Sequence, residues 1–418
     1  MIKAEKRILK GIVCIILISS LLLMYTSCSL KVSAEELSGE YERKATDSGN
    51  VNDAYIYAMA DFAMNLFVNS LGDNPGNKLV SPLSAVVLIA MIANGAEGET
   101  LAQIEKALGM SIGEFNRYMY SYMSELYSSD DCNLKIADSI WFRNTRIKVK
   151  EDFLQTNADW YNAQIYSADF DNGTVNDINK WVNYYSDGMI DRIIDDIEES
   201  EVMYLINALA FDAEWQDKYE KKDINEHIFT GYDNVQTTVQ MLFSEQSLYL
   251  SDENAVGFSK NYKGEKYSFV AMLPDEGIDI YDYARSLNGE KWMSIWNGRK
   301  NQSVQVGIPE FTCSSYTRLN SAFEKMGVTD MFNSSVADFS GLGSSDAGNI
   351  FCSYVDQKTF IQLDRNGTKA AAVTWGAMKD GAPEYTRVIL ERPFIYAIVD
   401  NSTGIPLFTG IALTMNQA

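Results

Sequence analysis

His227 is the sole histidine in 418 residues. A zinc site built from three imidazoles is therefore ruled out, and any Ser–His or Cys–His nucleophile would have to use His227 itself. The cysteines, Cys14, Cys28, Cys132, Cys313 and Cys352, stand far apart, with no CxxC pair or metal-ligand cluster among them. Asp195, Asp196, Glu198, Glu199 and Glu201 could offer oxygens to Ca²⁺, but they lack the alternating ligands and central glycine of an EF-hand loop and read as a solvated face. Gly341-Leu342-Gly343 has no strand–helix context for a dinucleotide. Hydrolase chemistry is thus disfavoured, and no metal and no cofactor is expected.

The segment Asp364 to Tyr385, DRNGTKAAAVTWGAMKDGAPEY, offers a different chemistry. It joins two strand-like stretches, Thr359–Leu363 and Thr386–Leu390, and is too long for an ordinary connection. Its centre is small and apolar, where a solvated loop would be polar. At period two, Thr368, Ala370, Ala372, Thr374 and Gly376 share one face, and Lys369, Ala371, Val373 and Trp375 the other. Such a stretch is a strand in waiting, small enough to slide between existing strands, with Gly367 as its hinge. A surface loop or a small-residue helix is the alternative by pattern alone.

The rest of the chain must hold that segment. The composition, 46% hydrophobic and 22% charged, is globular. A net charge of −22 repels phosphate backbones, so nucleic acid is not an expected partner. Apolar residues at helical spacing mark Ala54 to Leu71; Ser81 and Pro82 open a second helix over Leu83 to Asn94, closed by Gly95. Asn176 to Ile194 also has helical spacing. Leu134–Phe142, Val202–Phe211, Tyr267–Leu273, Val304–Ile308, Phe394–Val399 and Leu407–Leu413 read as strands. Helices dominate the first half and strands the second, which argues an α+β fold with mixed β-sheets in one large domain, 51–418.

The amino terminus reads as an export signal. Lys3, Lys6, Arg7 and Lys10 precede an apolar run of 14 residues, Gly11 to Met24, short for a membrane span of ~20 residues. Val32-Ser33-Ala34 suits cleavage after Ala34, giving a signal over 1–34. Thr26-Ser27-Cys28 resembles a bacterial lipobox, giving a signal over 1–27 with lipid on Cys28, although Tyr25 stands where that motif prefers Leu. Either puts the protein outside the cell, secreted or lipid-anchored at the surface; an uncleaved anchor is the third reading. Residues 35–50, polar and charged, read as a flexible tether.

From about Ala54 onward the chain resembles the serpin family. Asn77-Lys78-Leu79-Val80-Ser81-Pro82-Leu83-Ser84 resembles its early block, and Gly95-Ala96-Glu97-Gly98-Glu99-Thr100 the GAxGxT continuation. Asn207-Ala208, Phe211 and Trp215 resemble the NAxxFxxxW strand. Met272-Leu273-Pro274, Ile308-Pro309-Glu310-Phe311, Met326 to Phe332 and Ala337 to Gly341 follow in the family's order, then Gly367-Thr368-Lys369-Ala370-Ala371-Ala372 as the hinge and Glu391-Arg392-Pro393-Phe394-Ile395 near the end.

The resemblance implies an exported bacterial suicide inhibitor of serine proteases, with cysteine proteases as second targets, and not an enzyme. The alternative is a non-inhibitory serpin acting as a binding or structural surface protein. A protease would attack the exposed reactive-centre loop, form an acyl-enzyme, and be trapped as the cut loop inserts into the main sheet. Thr368 to Gly381, extended at ~3.3 Å per residue, spans ~46 Å, close to the ~50 Å diameter of such a domain. The ladder bonds gained and the entropy lost on ordering nearly cancel, so the native state is expected to be metastable, driven by a strained starting sheet. Family spacing puts the reactive bond between Gly381 and Ala382; the loop is one residue longer than in many relatives, so a cut after Ala382, or at Met378 or Lys379, stays open. The family usually has Glu where Arg365 stands and Lys where Glu310 stands, which predicts a swapped hinge salt bridge, Arg365 with Glu310. Gln357 takes a position that is often His, and with Ser81, Ser84, Asn207 and Trp215 is expected to form the polar network where the sheet opens. The protein is expected to be a monomer.

Overall fold

The computed structural model describes residues 30–44, 49–72, 74–126, 132–368 and 386–415. Cys28, the hinge residues Ala370, Ala371 and Ala372, and the Gly381–Ala382 bond lie outside them.

Helices α1 (Asp53–Ser70), α2 (Pro82–Ala93), α3 (Gly98–Leu108), α4 (Ile112–Leu126), α5 (Glu151–Tyr161) and α6 (Asn172–Tyr185) come from the first half of the chain. Ser81 caps α2, its Oγ accepting from Ser84 N at 3.2 Å, and Pro82 takes the first helical position, where a missing N–H costs nothing. Apolar on every side, α2 is buried on nearly every side, at the centre of the largest core cluster.

The main sheet uses β1 (Glu35–Glu36), β2 (Cys132–Phe142), β3 (Gln164–Ser167), β4 (Met203–Glu214), β5 (Phe311–Arg318), β6 (Asp356–Leu363) and β7 (Gly367–Thr368). It comes in two halves. One runs β1-β3-β2-β4-β7, with β2 and β3 parallel; the other is the antiparallel pair β5-β6. Among the described residues no ladder joins β4 to β6. A cleft of about 290 Å³ lies between them, lined by Phe211 of β4, by Phe360, Ile361 and Gln362 of β6, and by Asp187, Gly188 and Met189.

The second sheet runs Thr386–Ile389, Lys300–Pro309, Gln236–Ser251, Ala255–Asn261, Tyr267–Pro274, Phe394–Asp400, Pro406–Ala412, Lys78–Val80, with Ile224–Thr230 also paired to Gln236–Ser251. Phe211 and Leu209 of β4 and Phe258, Phe269 and Tyr396 of the second sheet meet in the core that also holds α2. On the opposite face of the main sheet, α6 packs Ile178, Trp181 and Val182 over Trp141, Tyr166 and Ile206. This is the expected α+β architecture with mixed sheets.

Two expectations need correction. The helix expected over Asn176 to Ile194 stops at Tyr185, because Asp187 and Gly188 adopt left-handed backbone (φ 51° and 78°). Residues 35–50 are not wholly a flexible tether. Glu35–Glu36 pair with Ser167 and Tyr166 at the edge of the main sheet, Leu37 N donates to Ile165 O at 2.8 Å, and Leu37 and Tyr41 pack on the large core. Just upstream, Leu30, Val32 and Ala34 alternate onto the cluster under α6, while Ser33 N, Ser33 Oγ and Ala34 N donate to Asp177 Oδ2 at 2.6, 2.5 and 3.0 Å. The charge of residues 35–50 suggested solvent, but Glu35–Glu36 pair at the sheet edge and Leu37 and Tyr41 supply apolar contacts that anchor the stretch.

Asp177 is 2% exposed, and its carboxylate holds the leading segment to α6. Asp177→Ala strands those donors and is expected to lower the free energy of unfolding by about 2 kcal/mol. Urea denaturation with an unchanged m-value would check it.

Candidate functional site

The hinge leaves β6 through a tight turn. Asp364 N and Gly367 N exchange hydrogen bonds with each other's carbonyls (3.0 and 3.3 Å), and Asn366 N donates to Asp364 Oδ1 at 2.7 Å. The turn delivers Gly367 opposite Glu214 and Thr368 opposite Ala213, antiparallel to β4 at the end of the cleft. Gly367 has φ +133°, and a Cβ there would lie 2.3 Å from Ala213 O and 2.6 Å from Glu214 Cα. Only glycine allows the chain to approach β4 so closely.

Trp215 holds this turn. Its Nε1 donates to Asp364 O at 2.9 Å and its backbone N to Asn366 O at 3.0 Å. The indole stacks on Tyr262 at 4.5 Å between ring centroids, and Tyr219 N adds a bond to Arg365 O at 3.1 Å. Beneath the two rings lies Lys260, 2% exposed, its Nζ 5.1 Å from the Trp215 centroid and 4.6 Å from that of Tyr219. Among the described residues its oxygen acceptor is Asp217 O, at 3.0 Å. Burial pushes the ammonium pKa down to about 8, against the pull of Asp217 and Asp223. No motif pointed to Lys260.

Arg365 and Glu310 meet where the sequence placed them. Arg365 Nε and Nη2 donate to Glu310 Oε1 and Oε2, both at 2.9 Å, and Arg365 N donates to Oε1 at 3.0 Å. The bidentate pair raises the guanidinium pKa, chiefly through its hydrogen bonds to Glu310.

Further along the cleft, the Gln357 amide clasps Ser81: its Oε1 accepts from Ser81 N at 2.9 Å and its Nε2 donates to Ser81 O at 2.8 Å. Ser81 Oγ donates to Leu407 O at 2.9 Å, and Thr359 Oγ1 to Leu79 O at 2.9 Å, so β6 is tied to the start of α2 and to the second sheet. Ser84 enters through its backbone N only. Asn207 does not join this cluster: its Nδ2 donates to Asp138 Oδ1 on β2, at 2.9 Å. The expected single network is spread over three places: Gln357 with Ser81 and Ser84, Asn207 with Asp138, and Trp215 at the hinge turn.

The connection from α6 to β4, residues 186–202, reaches both halves of the sheet. Asp187 pairs with Lys135 of β2 at 2.6 Å, and Asp191 with Lys358 of β6 at 2.7 Å. Glu201 is not part of a solvated face: Oε2 accepts from Tyr204 and Oε1 from Tyr354, each at 2.6 Å. His227, on Ile224–Thr230, bonds Glu391 through Nε2 at 2.6 Å, just past the strand to which the loop returns.

The family model described as Serpin (serine protease inhibitor) matches residues 57–414. The leukocyte elastase inhibitor of Homo sapiens is 30% identical over 371 residues, 84% of this chain and 96% of that protein. The thermophilic serpin tengpin in its native state is 45% identical, with a TM-score of 0.88 over 92% of this chain and 100% of that one. Tengpin in its latent state gives a TM-score of 0.81, over 88% of this chain and 100% of that one.

Reversing either charge alone, Arg365→Glu or Glu310→Arg, opposes like charges, and the double exchange restores the pair. With side chains 44% and 20% exposed, the double-mutant cycle is expected to give a coupling of about 1 kcal/mol. Lys260→Met tests the buried ammonium. The folded-state pKa lies below that of the unfolded chain, so from about pH 8 to 10.5 the unfolded chain binds more protons and wild-type stability from this group rises with pH. Lys260→Met should be more stable than wild type at pH 7, by about 1–2 kcal/mol, with the advantage fading as pH climbs through that window. Thermal melts at pH 7 and pH 10 would check this.

Proposed function

The chain belongs to the serpin family, and from that premise we propose that it inhibits serine endopeptidases, with cysteine proteases as second targets, by being cut. The observation that carries this reading is the unladdered cleft between β4 and β6, with Gly367 and Thr368 already paired to β4 at one end of it. Continued residue for residue, that register would set Ala370, Ala371 and Ala372 opposite Phe211, Ala210 and Leu209, and Met378 opposite Met203, the first residue of β4. The inserted strand would run the length of β4, and the cut end, Gly381, would lie ~46 Å from the hinge at ~3.3 Å per residue.

The target's nucleophile attacks the carbonyl carbon of Gly381. The peptide bond to Ala382 breaks, the amine of Ala382 leaves with a proton, and the Gly381 acyl group stays on the enzyme as an ester, or as a thioester on a cysteine protease. Insertion competes with hydrolysis of that bond. Gly367 supplies the close approach, small residues after it avoid clashes with either strand, and Trp215 fixes where zipping starts. Arg365 and Glu310 brace the turn against premature entry.

The protein acts as a monomer outside the cell. Of the two processing sites, cleavage before Cys28 leaves Leu30 to Ala34 in the mature chain, where they meet α6, so the lipid-anchored form is the one proposed.

Incubation with elastase-, trypsin- and subtilisin-like enzymes is expected to yield an SDS-stable complex with at least one, and mass spectrometry of the released peptide to read Ala382 as its first residue. Chain nicked in the loop should melt far above intact chain. Nicked chain that melts with the intact form, and no trapped enzyme, would instead establish a non-inhibitory binding protein.

A further inference from the structure

Asp138 of β2 and Asn207 of β4 stand directly opposite each other in the antiparallel ladder. Asp138 is 2% exposed, flanked on its face of the strand by Ile136 and Ile140, toward the core that holds α2. One hydrogen bond joins the pair, from Asn207 Nδ2 to Asp138 Oδ1 at 2.9 Å. Two buried oxygens are left over, Asp138 Oδ2 and Asn207 Oδ1, each with no hydrogen-bond partner among the described residues. Unsatisfied buried acceptors are costly, and here both belong to the two members of one pair.

A carboxylic acid and a primary amide are complementary. The amide N–H donates to the acid carbonyl, and the acid O–H donates to the amide carbonyl. A single proton on Asp138 Oδ2 would therefore satisfy both leftover oxygens at once. An ionised carboxylate would keep one bond, leave two acceptors unmatched, and add a buried negative charge. We propose that Asp138 is held protonated in the native fold, locked by two reciprocal hydrogen bonds to Asn207 on the strand bordering the cleft, and that loss of this proton weakens the native fold as pH rises.

The surroundings agree. Helix α2, packed on β4, carries no titratable residue. On the same face β2 and β4 present Ile136, Ile140 and Leu209. From α5 comes Tyr161, whose hydroxyl donates to Asn116 Oδ1 of α4 at 2.5 Å and whose own ionisation is opposed by burial, Tyr55 and Asp138. Across the cleft β6 offers the neutral Gln357 and Thr359, while Lys358 is engaged by Asp191. No cation is among the influences on the Asp138 carboxyl: burial pushes its pKa up to about 7, and the Asn207 amide pulls against it.

Because the folded-state pKa exceeds the unfolded value, the folded chain holds the extra proton between about pH 4 and pH 7, and the stability it contributes is lost as pH rises through about 7. Asp138→Asn replaces the acid by an amide that can make the same two bonds without a proton. In urea denaturation of the full chain, the ratio of wild-type to Asp138→Asn unfolding constants is expected to rise about tenfold between pH 6 and pH 8. A flat ratio would overturn the proposal. Should Asp138→Asn not fold, infrared difference spectra of wild-type chain with ¹³C-labelled aspartate, taken between those pH values, decide it. Loss of a buried protonated-carboxyl band on going to pH 8 supports the lock, and its absence at pH 6 refutes it. Both measurements concern the intact native fold and stand whether or not the chain traps a protease.

Discussion

Two strands that face each other without a shared ladder set the terms for the rest of this molecule. A backbone N–H or C=O taken from water needs a partner, and β4 and β6 each present a row of them to the cleft. A sheet that could close this cleft directly would have little use for a long small-residue segment beginning at its end. The aromatic wall behind it, Phe211 against Tyr262 and Tyr267, and Trp215 against Tyr262, is packed like any other core. Within the sheet, the unspent bonding capacity beside this wall lies along one line, between β4 and β6.

What keeps that line as it is lies at several heights along it. At the hinge, Trp215 and Tyr219 grip the turn by its carbonyls, and Arg365 and Glu310 brace it from outside. In the middle, Gln357 fastens β6 to the start of α2, and Asp138 fastens Asn207 to β2. At the far end, Glu201 receives Tyr204 and Tyr354, and residues 186–202 reach from Lys135 on one half-sheet to Lys358 on the other. None of these contacts is individually strong, since most are partly exposed. Together they tie each half of the sheet to what surrounds it at successive points along the cleft.

Much of this was legible in the sequence, for reasons that differ by residue. Ser81 and Pro82 announced a helix start because capping is local chemistry. Gly367 announced a hinge because no other residue follows that backbone. The pairing of Arg365 with Glu310 was readable because both depart together from the family's pattern. Residues 35–50 were misread because their charge outweighed Leu37 and Tyr41, which pack on the core. Asn207 was assigned across the cleft although its partner lies on the neighbouring strand. Asp138 did leave a trace: it interrupts Leu134, Ile136, Ile140 and Phe142, the inward register of a strand otherwise apolar on that face. Lys260 left none, and Glu201 was read with its acidic neighbours as solvated, because what surrounds them is brought together from distant parts of the chain.

The two-residue strand β1 has an effect beyond docking the amino terminus. It covers the outer edge of β3, and the residues it turns to solvent are two glutamates, a poor template for another chain to lengthen. The line between β4 and β6 keeps its hydrogen-bonding capacity, and the chain that follows Gly367 and Thr368 is covalently attached at its end. Attachment of that kind gives a local concentration on the order of millimolar, which a free copy of the protein would rarely match. Capping the β3 edge thus removes one of the surfaces on which a neighbouring copy could add a strand.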